Sequence, residues 1–184
     1  MTSEEGELGA LERHGAGVTL RFARLLPHAP ATVWRALTEP DHLAAWFPTA
    51  VEGDLTVGGS LTFSFPDMDV PAFEGTVLAI EPPRLFELMW GDEQLRFVLT
   101  EHSAGTLLTF TASFAELGRA ARDGAGWHVC LDLLAFEISG QAAPWSSDDR
   151  WREVHRQYVA SFGEEAATIG PPPEWQDAHP VEQS

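Results

Sequence analysis

The fold is decided by 106-TLLTFTASF-114 and, a short distance later, 126-GWHVCLDLLAFEISG-140. In the first segment apolar and polar residues alternate, which is typical of a strand with one buried face. In the second, apolar residues recur every three or four positions and form one stripe along a helix: Trp127, Leu131, Leu134 and Ile138. The hydrophobic period therefore changes from 2 to 3.6, and we predict a strand followed by a long helix that ends at Gly140.

Upstream of this point, the same alternation marks further strands joined by short turns. They are Val18–Leu26, Val51–Leu55, Gly59–Phe65, Phe73–Ile80, Arg84–Trp90 and Gln94–Thr100. Because the connections within the series after Pro48 are only a few residues long, its neighbouring strands must be antiparallel. Two short helices, Ala31–Leu37 and one from Asp41 to Trp46, follow the first strand. A last helix, capped by Ser147 or Asp148, runs to about Phe162.

This element order predicts an α+β fold with one antiparallel sheet. A long buried helix laid across a curved sheet leaves a concave space between them, where a ligand would lie. At 184 residues with 44% hydrophobic composition, the chain suits a single domain. We predict a flexible acidic arm over residues 1–17, one ligand-binding domain over residues 18–163, and an acidic, proline-rich tail over residues 164–184. For Trp175 in that tail, docking on the domain and lying free both stay open.

The charge of the chain excludes several classes of function. Asp and Glu number 28 against 11 cations, all of them Arg, and the formal net charge is −17. Such a surface repels phosphate backbones and anionic lipid headgroups, so we expect no nucleic-acid partner. No apolar run approaches the roughly 20 residues that a membrane span requires, so we expect no membrane insertion. Without lysine, a Schiff base and a P-loop are excluded. We expect a cytoplasmic protein, because the first 17 residues lack signal-peptide features and the single cysteine, Cys130, fits a reducing compartment.

Several motifs, in this order along the chain, resemble those of a known family. They are 33-VWRALTEP-40 with His42-Leu43 and Trp46-Phe47, then Gly58-Gly59, 73-FEGTV-77, 81-EPPRL-85, 105-GTLLTF-110, and Gly126-Trp127 with 131-LDLL-134. Together they are similar to the SRPBCC or START-like superfamily, and within it to the branch named after the activator of heat shock protein 90 ATPase homologue. The resemblance covers about residues 18–163.

The resemblance implies a helix-grip fold. In this fold a curved antiparallel sheet wraps around a long C-terminal helix, two short helices follow the first strand, and an apolar cavity is enclosed. The superfamily includes lipid, hormone and polyketide binders, aromatase/cyclases and ring-hydroxylase subunits. The co-chaperone activity behind the branch name belongs to larger proteins with an additional N-terminal domain, for which we find no counterpart in this sequence. It is therefore not transferred.

Aromatic and aliphatic side chains on the predicted strands and helices are the candidates for the cavity wall. Trp34, Trp46 and Phe47 lie on the two short helices and either gate one mouth of the cavity or pack as core. Polar Thr62 and Ser64 alternate with Phe63 and Phe65, which favours an inward direction for the two phenylalanine side chains. The candidate cavity residues are Trp34, Trp46, Phe47, Phe63, Phe65, Phe73, Trp90, Phe97, Phe110, Trp127, His128, Leu131 and Leu134. A solid core without a useful cavity is the competing interpretation.

Metal and nucleophile chemistry find little support in the sequence. His128 and Cys130 lie two residues apart on one helix, about 200° around its axis, so they cannot bind the same ion. We expect no metal and no cofactor. Cys130 lies mid-helix among apolar residues and is expected to be inert. No Gly-x-Ser-x-Gly nucleophile motif is present.

Acid–base chemistry has candidates but no signature. His128 beside Trp127, and Glu74 on a strand, are the candidate catalytic residues. Glu87, Asp132 and Glu137 would be further acids or bases if buried. For Asp132 the expected role is different: an exposed helix position paired with Arg24 or Arg96.

Three functions follow from these observations. The first is a binding domain for a small, largely apolar molecule, lipid-like or aromatic and polyketide-like, in an internal cavity. The second is a cyclase, aromatase or hydrolase acting on such a molecule through a cavity histidine or acid. The third is a stress-related protein-interaction module of co-chaperone type, which predicts an exposed apolar patch and a filled core. A homodimer through a sheet edge also stays open.

Overall fold

A computed structural model describes residues 7–171, so Trp175 and the end of the predicted tail lie outside the described residues. The sheet has eight antiparallel strands in the order β1-β2-β8-β7-β6-β5-β4-β3. In chain order the strands are β1 Ala10–His14, β2 Gly17–Leu26, β3 Ala50–Gly53, β4 Ser60–Ser64, β5 Phe73–Glu81, β6 Leu85–Trp90, β7 Glu93–His102 and β8 Gly105–Phe114. Strand β2, near the start of the chain, pairs with β8, the last strand in the chain.

Four α-helices complete the described fold. They are α1 Pro30–Thr38 and α2 Pro40–Trp46 after β2, then α3 Ala120–Ser139 and α4 Ser147–Phe162 after β8. Short 3-10 turns, Leu117–Arg119 and Glu164–Ala167, precede α3 and follow α4. The curved open sheet and the long helix confirm the predicted α+β helix-grip architecture.

The core lies between the sheet and α3. Along β7, Leu95, Phe97 and Leu99 are buried while the alternate side chains face outward, as a period of 2 requires. On the other side, Trp127 of α3 packs edge-on against Phe110 of β8, with ring centroids 5.0 Å apart. Thirteen of the 20 residues of α3 are buried, because α4 covers the face of α3 that the sheet does not.

Two stretches that the sequence analysis assigns to flexible ends belong to the fold. Strand β1 pairs with β2 from Ala10 opposite Arg21 to His14 opposite Gly17. At the other end, Ala166 is fully buried, and the amide of Ile169 donates a hydrogen bond to the carbonyl oxygen of Gly118. The sequence ALERH of β1 gives little alternation to detect, because an edge strand is held mainly by backbone pairing.

The long helix begins six residues earlier than predicted. Glycines at positions 124 and 126 weaken the helical pattern before Trp127, because glycine is unfavourable in a helix interior. Gly124 instead faces α4, where a Cβ atom would lie 3.3 Å from Cδ1 of Tyr158. The absence of a side chain therefore lets α4 approach closely. The helix ends as predicted at Gly140, whose φ of 69° is the left-handed conformation of a C-cap.

Candidate functional site

A pocket of about 420 Å³ opens where β5 and the β6–β7 turn meet the first half of α3. Its apolar wall is mainly aromatic and contains Phe73, Trp90, Trp127 and Trp151. Its polar side chains are Asp92, Glu93, Arg119, Arg122 and Asp123. Three of the predicted cavity residues line this pocket, namely Phe73, Trp90 and Trp127. The pocket is therefore at one end of the space between sheet and helix.

The aromatic wall is held by contacts among its own members. Trp90 meets Trp127 edge-on at 5.4 Å between ring centroids, and meets Phe73 edge-on at 5.3 Å. Phe47, at the end of α2, packs behind Trp127 at 5.8 Å. These edge-on and tilted arrangements are the ones that aromatic side chains prefer, so the rings of the wall stabilise one another.

Glu93 is the buried acid of the pocket. As the first residue of β7, it lies on the same inward face as Leu95 and Phe97. Its Oε2 accepts a hydrogen bond from Nε1 of Trp127 at 3.2 Å, and its Oε1 lies 3.4 Å from Nη2 of Arg119. The carboxyl thus contacts both the aromatic wall and the charged side of the pocket.

Arg119 lies among three carboxyl groups. Its Nη2 is 3.1 Å from Oδ2 of Asp92, and its Nε is 3.2 Å from Oδ2 of Asp123. The guanidinium also stacks over the ring of Phe114, 4.5 Å from the centroid. Arg122 pairs with Asp123 at 2.6 Å. The pocket thus holds two guanidinium groups and three carboxyl groups.

The environment of Glu93 favours its neutral form. Burial is the largest cause and, with the nearby charge of Asp123, raises the pKa of Glu93 to about 8. Arg119 and the hydrogen bond from Trp127 act in the opposite direction and are outweighed. At neutral pH the carboxyl is therefore mostly protonated, and it can donate a proton or a hydrogen bond to a bound molecule.

Glu93, Arg119 and Asp123 are pocket residues that were not among the candidates predicted from the sequence. A signal for Glu93 was present, since extending the alternation of Leu95, Phe97 and Leu99 one step toward the N-terminus reaches it. Arg119 and Asp123 are four residues apart, the spacing of neighbours on one helix face. Neither pattern indicates a pocket by itself, because the wall opposite comes from a distant part of the chain.

The centre of the domain is packed rather than hollow. Four predicted cavity residues, Trp46, Phe47, Phe63 and Phe97, border a void of about 20 Å³, which is about the size of one water molecule. Phe110, Leu131 and Leu134 are fully buried core residues. Two others are only half-buried: Trp34, whose ring lies edge-on to Phe86, and Phe65, beside Phe73.

His128 contacts side chains of α4 and does not line the pocket, which corrects its prediction as a cavity residue. Its Nδ1 is 2.9 Å from the hydroxyl of Tyr158 on α4. Its Nε2 is 3.3 Å from Nη2 of Arg150 and 3.4 Å from Oδ2 of Asp132. Because one residue turns a helix by about 100°, the neighbour of Trp127 faces α4 instead of the pocket.

Asp132 is buried, not exposed as predicted. Its Oδ2 accepts hydrogen bonds from Nε and Nη2 of Arg150 at 3.1 and 3.0 Å. Arg24, one of the two predicted partners, lies 4.0 Å away, whereas Arg96 pairs with Glu87 at 2.6 Å. The prediction failed because α4 covers a helix face that periodicity alone cannot identify as internal.

The other candidate acid and the cysteine are also placed by the structure. Glu74 is exposed on β5, where it accepts a hydrogen bond from the hydroxyl of Thr62 at 3.2 Å, so it does not reach the pocket. Glu137 pairs with His42 at 2.8 Å. Cys130 borders the pocket, and burial raises the pKa of its thiol to about 12, so the thiol is protonated and unreactive at neutral pH.

Two further features of the described part of the chain bear on function. No group of three or more His, Cys, Asp and Glu side chains in residues 7–171 is placed to hold one metal ion. None of the helices in that range combines the length and the apolar character that crossing a membrane requires.

The fold and the pocket define a protein class, the SRPBCC type, whose members are in general ligand-binding or polyketide cyclase-like domains. Within this class, residues 27–138 match the family model described as "Activator of Hsp90 ATPase homolog 1-like protein". The chain belongs to this family. No match was found among curated proteins.

Solved structures support the same architecture. A conserved protein of unknown function from Enterococcus faecalis, EF2215, is 24% identical with a TM-score of 0.71, covering 83% of this chain and 89% of that one. The crystal structure of CalU16 from Micromonospora echinospora is 25% identical with a TM-score of 0.68, covering 84% and 96%. A Bordetella parapertussis protein encoded by gene BPP1335 is 27% identical with a TM-score of 0.62, covering 86% and 94%.

Proposed function

We propose that the chain binds a small, largely apolar molecule, lipid-like or aromatic and polyketide-like, in the pocket beside Trp90 and Trp127. The observation that carries this proposal is an aromatic wall around a space of about 420 Å³. Small-molecule pockets typically have volumes of roughly 300–1,000 Å³, with apolar walls and a few polar groups. The pocket has this size and this composition.

The two sides of the pocket have different roles in this proposal. Contact with the aromatic rings supplies most of the binding free energy, at about 25 cal/mol per Å² of apolar surface removed from water. Glu93 and Arg119, two of the five charged side chains that line the pocket, contribute orientation. A ligand with one polar end would therefore bind in a single direction.

Native mass spectrometry of protein purified gently from its own host tests the proposal. We expect an added organic mass that is released on denaturation and that identifies the ligand class. Absence of such a mass, together with no thermal shift against lipids and aromatic polyketides, would contradict the proposal.

A pair of tryptophan variants tests the location. Trp90 and Trp34 are both half-buried, and each lies edge-on to a phenylalanine, but only Trp90 lines the pocket. For the identified ligand, we expect Trp90→Ala to lower the affinity about tenfold or more, which corresponds to about 1.4 kcal/mol. Trp34→Ala should leave the affinity unchanged. Equal losses in both variants would place the binding site elsewhere.

A second candidate function is an enzyme, a cyclase, aromatase or hydrolase acting on the same kind of molecule. Glu93 favours it, since a pocket carboxyl with a pKa of about 8 is suited to donating a proton near neutral pH. We expect turnover to fall above pH 8. Glu93→Gln should abolish turnover while retaining ligand binding. Binding without conversion of any compound in the panel would rule against this candidate.

The remaining expectations have less support from the structure. The protein-interaction hypothesis requires an exposed apolar patch and stays a prediction; the exposed large apolar side chains of the described residues are Leu8, Leu25, Val57 and Leu78. A cytoplasmic location and a homodimer remain predictions. A dimer through the sheet would use β1 or β3, which form the two edges.

A further inference from the structure

The charges in the pocket narrow the class of ligand. We propose that the pocket binds an organic cation, an ammonium group carried on an aromatic or apolar body, with the carboxylate of Glu93 as its counter-charge. This inference rests on the proposed function, because it concerns the same pocket. It specifies that the ligand carries a positive charge.

The ionisable side chains of the pocket include more acids than arginines. Arg122 contacts Asp123 at 2.6 Å, and Arg119 is closest to Asp92, at 3.1 Å. Glu93 is the most buried of the three acids and makes the longest of the three ion-pair contacts to Arg119, at 3.4 Å. With all five groups ionised, one negative charge is in excess. Either a proton or a bound cation can neutralise this charge.

The aromatic wall of the pocket lies next to the Glu93 carboxyl. The faces of tryptophan and phenylalanine rings carry negative charge density and attract ammonium groups, more strongly in a desolvated site. Trp127 connects the two features, because its ring lines the pocket while its Nε1 donates to Glu93. A cation in the pocket would therefore lie beside aromatic rings and a carboxylate at once.

The same geometry disfavours an anionic ligand. Both guanidinium groups already lie within 3.4 Å of carboxyl oxygens, so an incoming anion would stand beside three acids. The net charge of −17 acts in the same direction, since an acidic protein attracts cations and repels anions.

Because a bound cation and a proton compete for Glu93, the affinity for the cation should depend on pH. The charged or titratable side chains around Glu93 are Asp92 on its own turn, Arg119 before α3, and Arg122, Asp123 and Cys130 on α3. The Cys130 thiol has a pKa of about 12 and stays neutral below pH 9. With a pKa of about 8 for Glu93, a cation that binds only the ionised form should gain roughly thirtyfold in affinity between pH 6.5 and pH 9.

One neighbouring group of the wall also titrates. His155 stacks on Trp151, with ring centroids 4.4 Å apart. Burial lowers the pKa of His155 below its usual value, so the ring is mostly neutral across this pH range. Its titration would therefore not reproduce the expected change.

The test compares two probes of the same shape. Benzyltrimethylammonium carries a fixed positive charge, and neopentylbenzene is its uncharged isostere. At pH 9 we expect the ammonium probe to bind the full chain at least tenfold more tightly than the isostere. Between pH 9 and pH 6.5 it should lose roughly thirtyfold in affinity, whereas the isostere should not change.

Variants of Glu93 and Glu74 test whether Glu93 causes the preference for the charged probe. Glu93→Gln should remove both the preference for the cation and its pH dependence. Glu74→Gln, which alters an exposed acid on the neighbouring part of the sheet, should behave as the unaltered chain does. The thermal melting of both variants is measured alongside. If Glu93→Gln does not fold, the comparison of probes in the unaltered chain still decides the question.

The outcomes separate this inference from the proposed function. Equal affinity for both probes at pH 9, or cation binding that does not change with pH, overturns the cation inference and leaves a site for neutral apolar molecules. Binding of neither probe also overturns it. The proposed function falls only if native mass spectrometry and the thermal-shift panel fail as well.

Discussion

Asp132 shows at the scale of a single residue how a charge is accommodated inside this protein. Its side chain has no exposed surface, and Arg150, His128 and Arg24 surround it. A buried carboxylate is stable only with such partners, because the loss of hydration is otherwise uncompensated. The cluster joins α3 to α4 and to β2, so it fixes how these elements meet.

Replacing Asp132 by Asn should lower the free energy of unfolding by about 3–5 kcal/mol, because two buried guanidinium groups lose their shared counter-charge. Chemical denaturation at pH 7 measures this. The matched control is Glu12→Gln, which removes an exposed partner of Arg21 and should change stability little. Equal effects in the two variants would contradict the structural role of Asp132.

Glu93 should make stability depend on pH in an unusual direction. Its pKa rises from a usual value of 4.5 to about 8 on folding, so the folded state holds this proton more tightly. The stabilisation is complete below pH 4.5 and is lost as pH rises through 8. In Glu93→Gln this loss should be absent. The free energy of unfolding of Glu93→Gln should therefore rise relative to that of the unaltered chain as the pH is raised from 5 to 8.5.

Denaturant titrations at these two pH values provide the measurement, and the difference between the chains cancels the other titrating groups. Glu74→Gln serves as the control because its carboxyl is exposed. A difference that stays constant with pH would show that Glu93 is ionised in the folded protein near neutral pH.

Strand β1 shows how an element can form with few sequence signals. Its side chains are mostly exposed, and only Leu11 packs against the core. Just before it, the amide of Gly9 donates a hydrogen bond to the hydroxyl of Tyr158, at 2.8 Å. Backbone pairing and one contact to α4 therefore hold a segment that looks like an acidic arm.

Two glycine variants test this docking. A Cβ atom at Gly9 would lie 2.5 Å from Cε1 of the buried Phe22 ring. A Cβ atom at Gly15 would have no neighbouring atom within 4 Å. We expect Gly9→Ala to cost about 1–3 kcal/mol of stability through overpacking. Gly15→Ala should be nearly neutral. Equal thermal melting of the two variants would mean that the segment before β1 does not dock on the domain.

At the scale of the whole molecule, net charge opposes compactness. The formal charge of −17 on 184 residues produces self-repulsion that salt screens, with a Debye length of about 10 Å at 0.1 M. We expect the melting temperature to rise as sodium chloride is increased from 10 to 300 mM. An uncharged osmolyte at equal osmolality is the control, and an equal rise in both would indicate an effect other than screening.

The sequence predicts most of the fold because its patterns are local. Alternation along β7 and β8 identifies strands, and the stripe from Trp127 to Ile138 identifies the long helix. The motifs between Val33 and Leu134 identify the family, which the match over residues 27–138 confirms. Strand β1 and the first turns of α3 were missed, because edge pairing and close helix approach leave weak patterns.

The sequence by itself determined the element order from β2 to α4, the acidic charge and three residues of the pocket wall: Phe73, Trp90 and Trp127. Only the tertiary structure decided which face of α3 meets the sheet and which meets α4. That choice sends Trp127 to the pocket and His128 to a buried ion cluster. It also brings Arg119 and Asp123 next to Glu93. The physical reason is that burial and pKa depend on neighbours far apart in the chain, which no local periodicity contains.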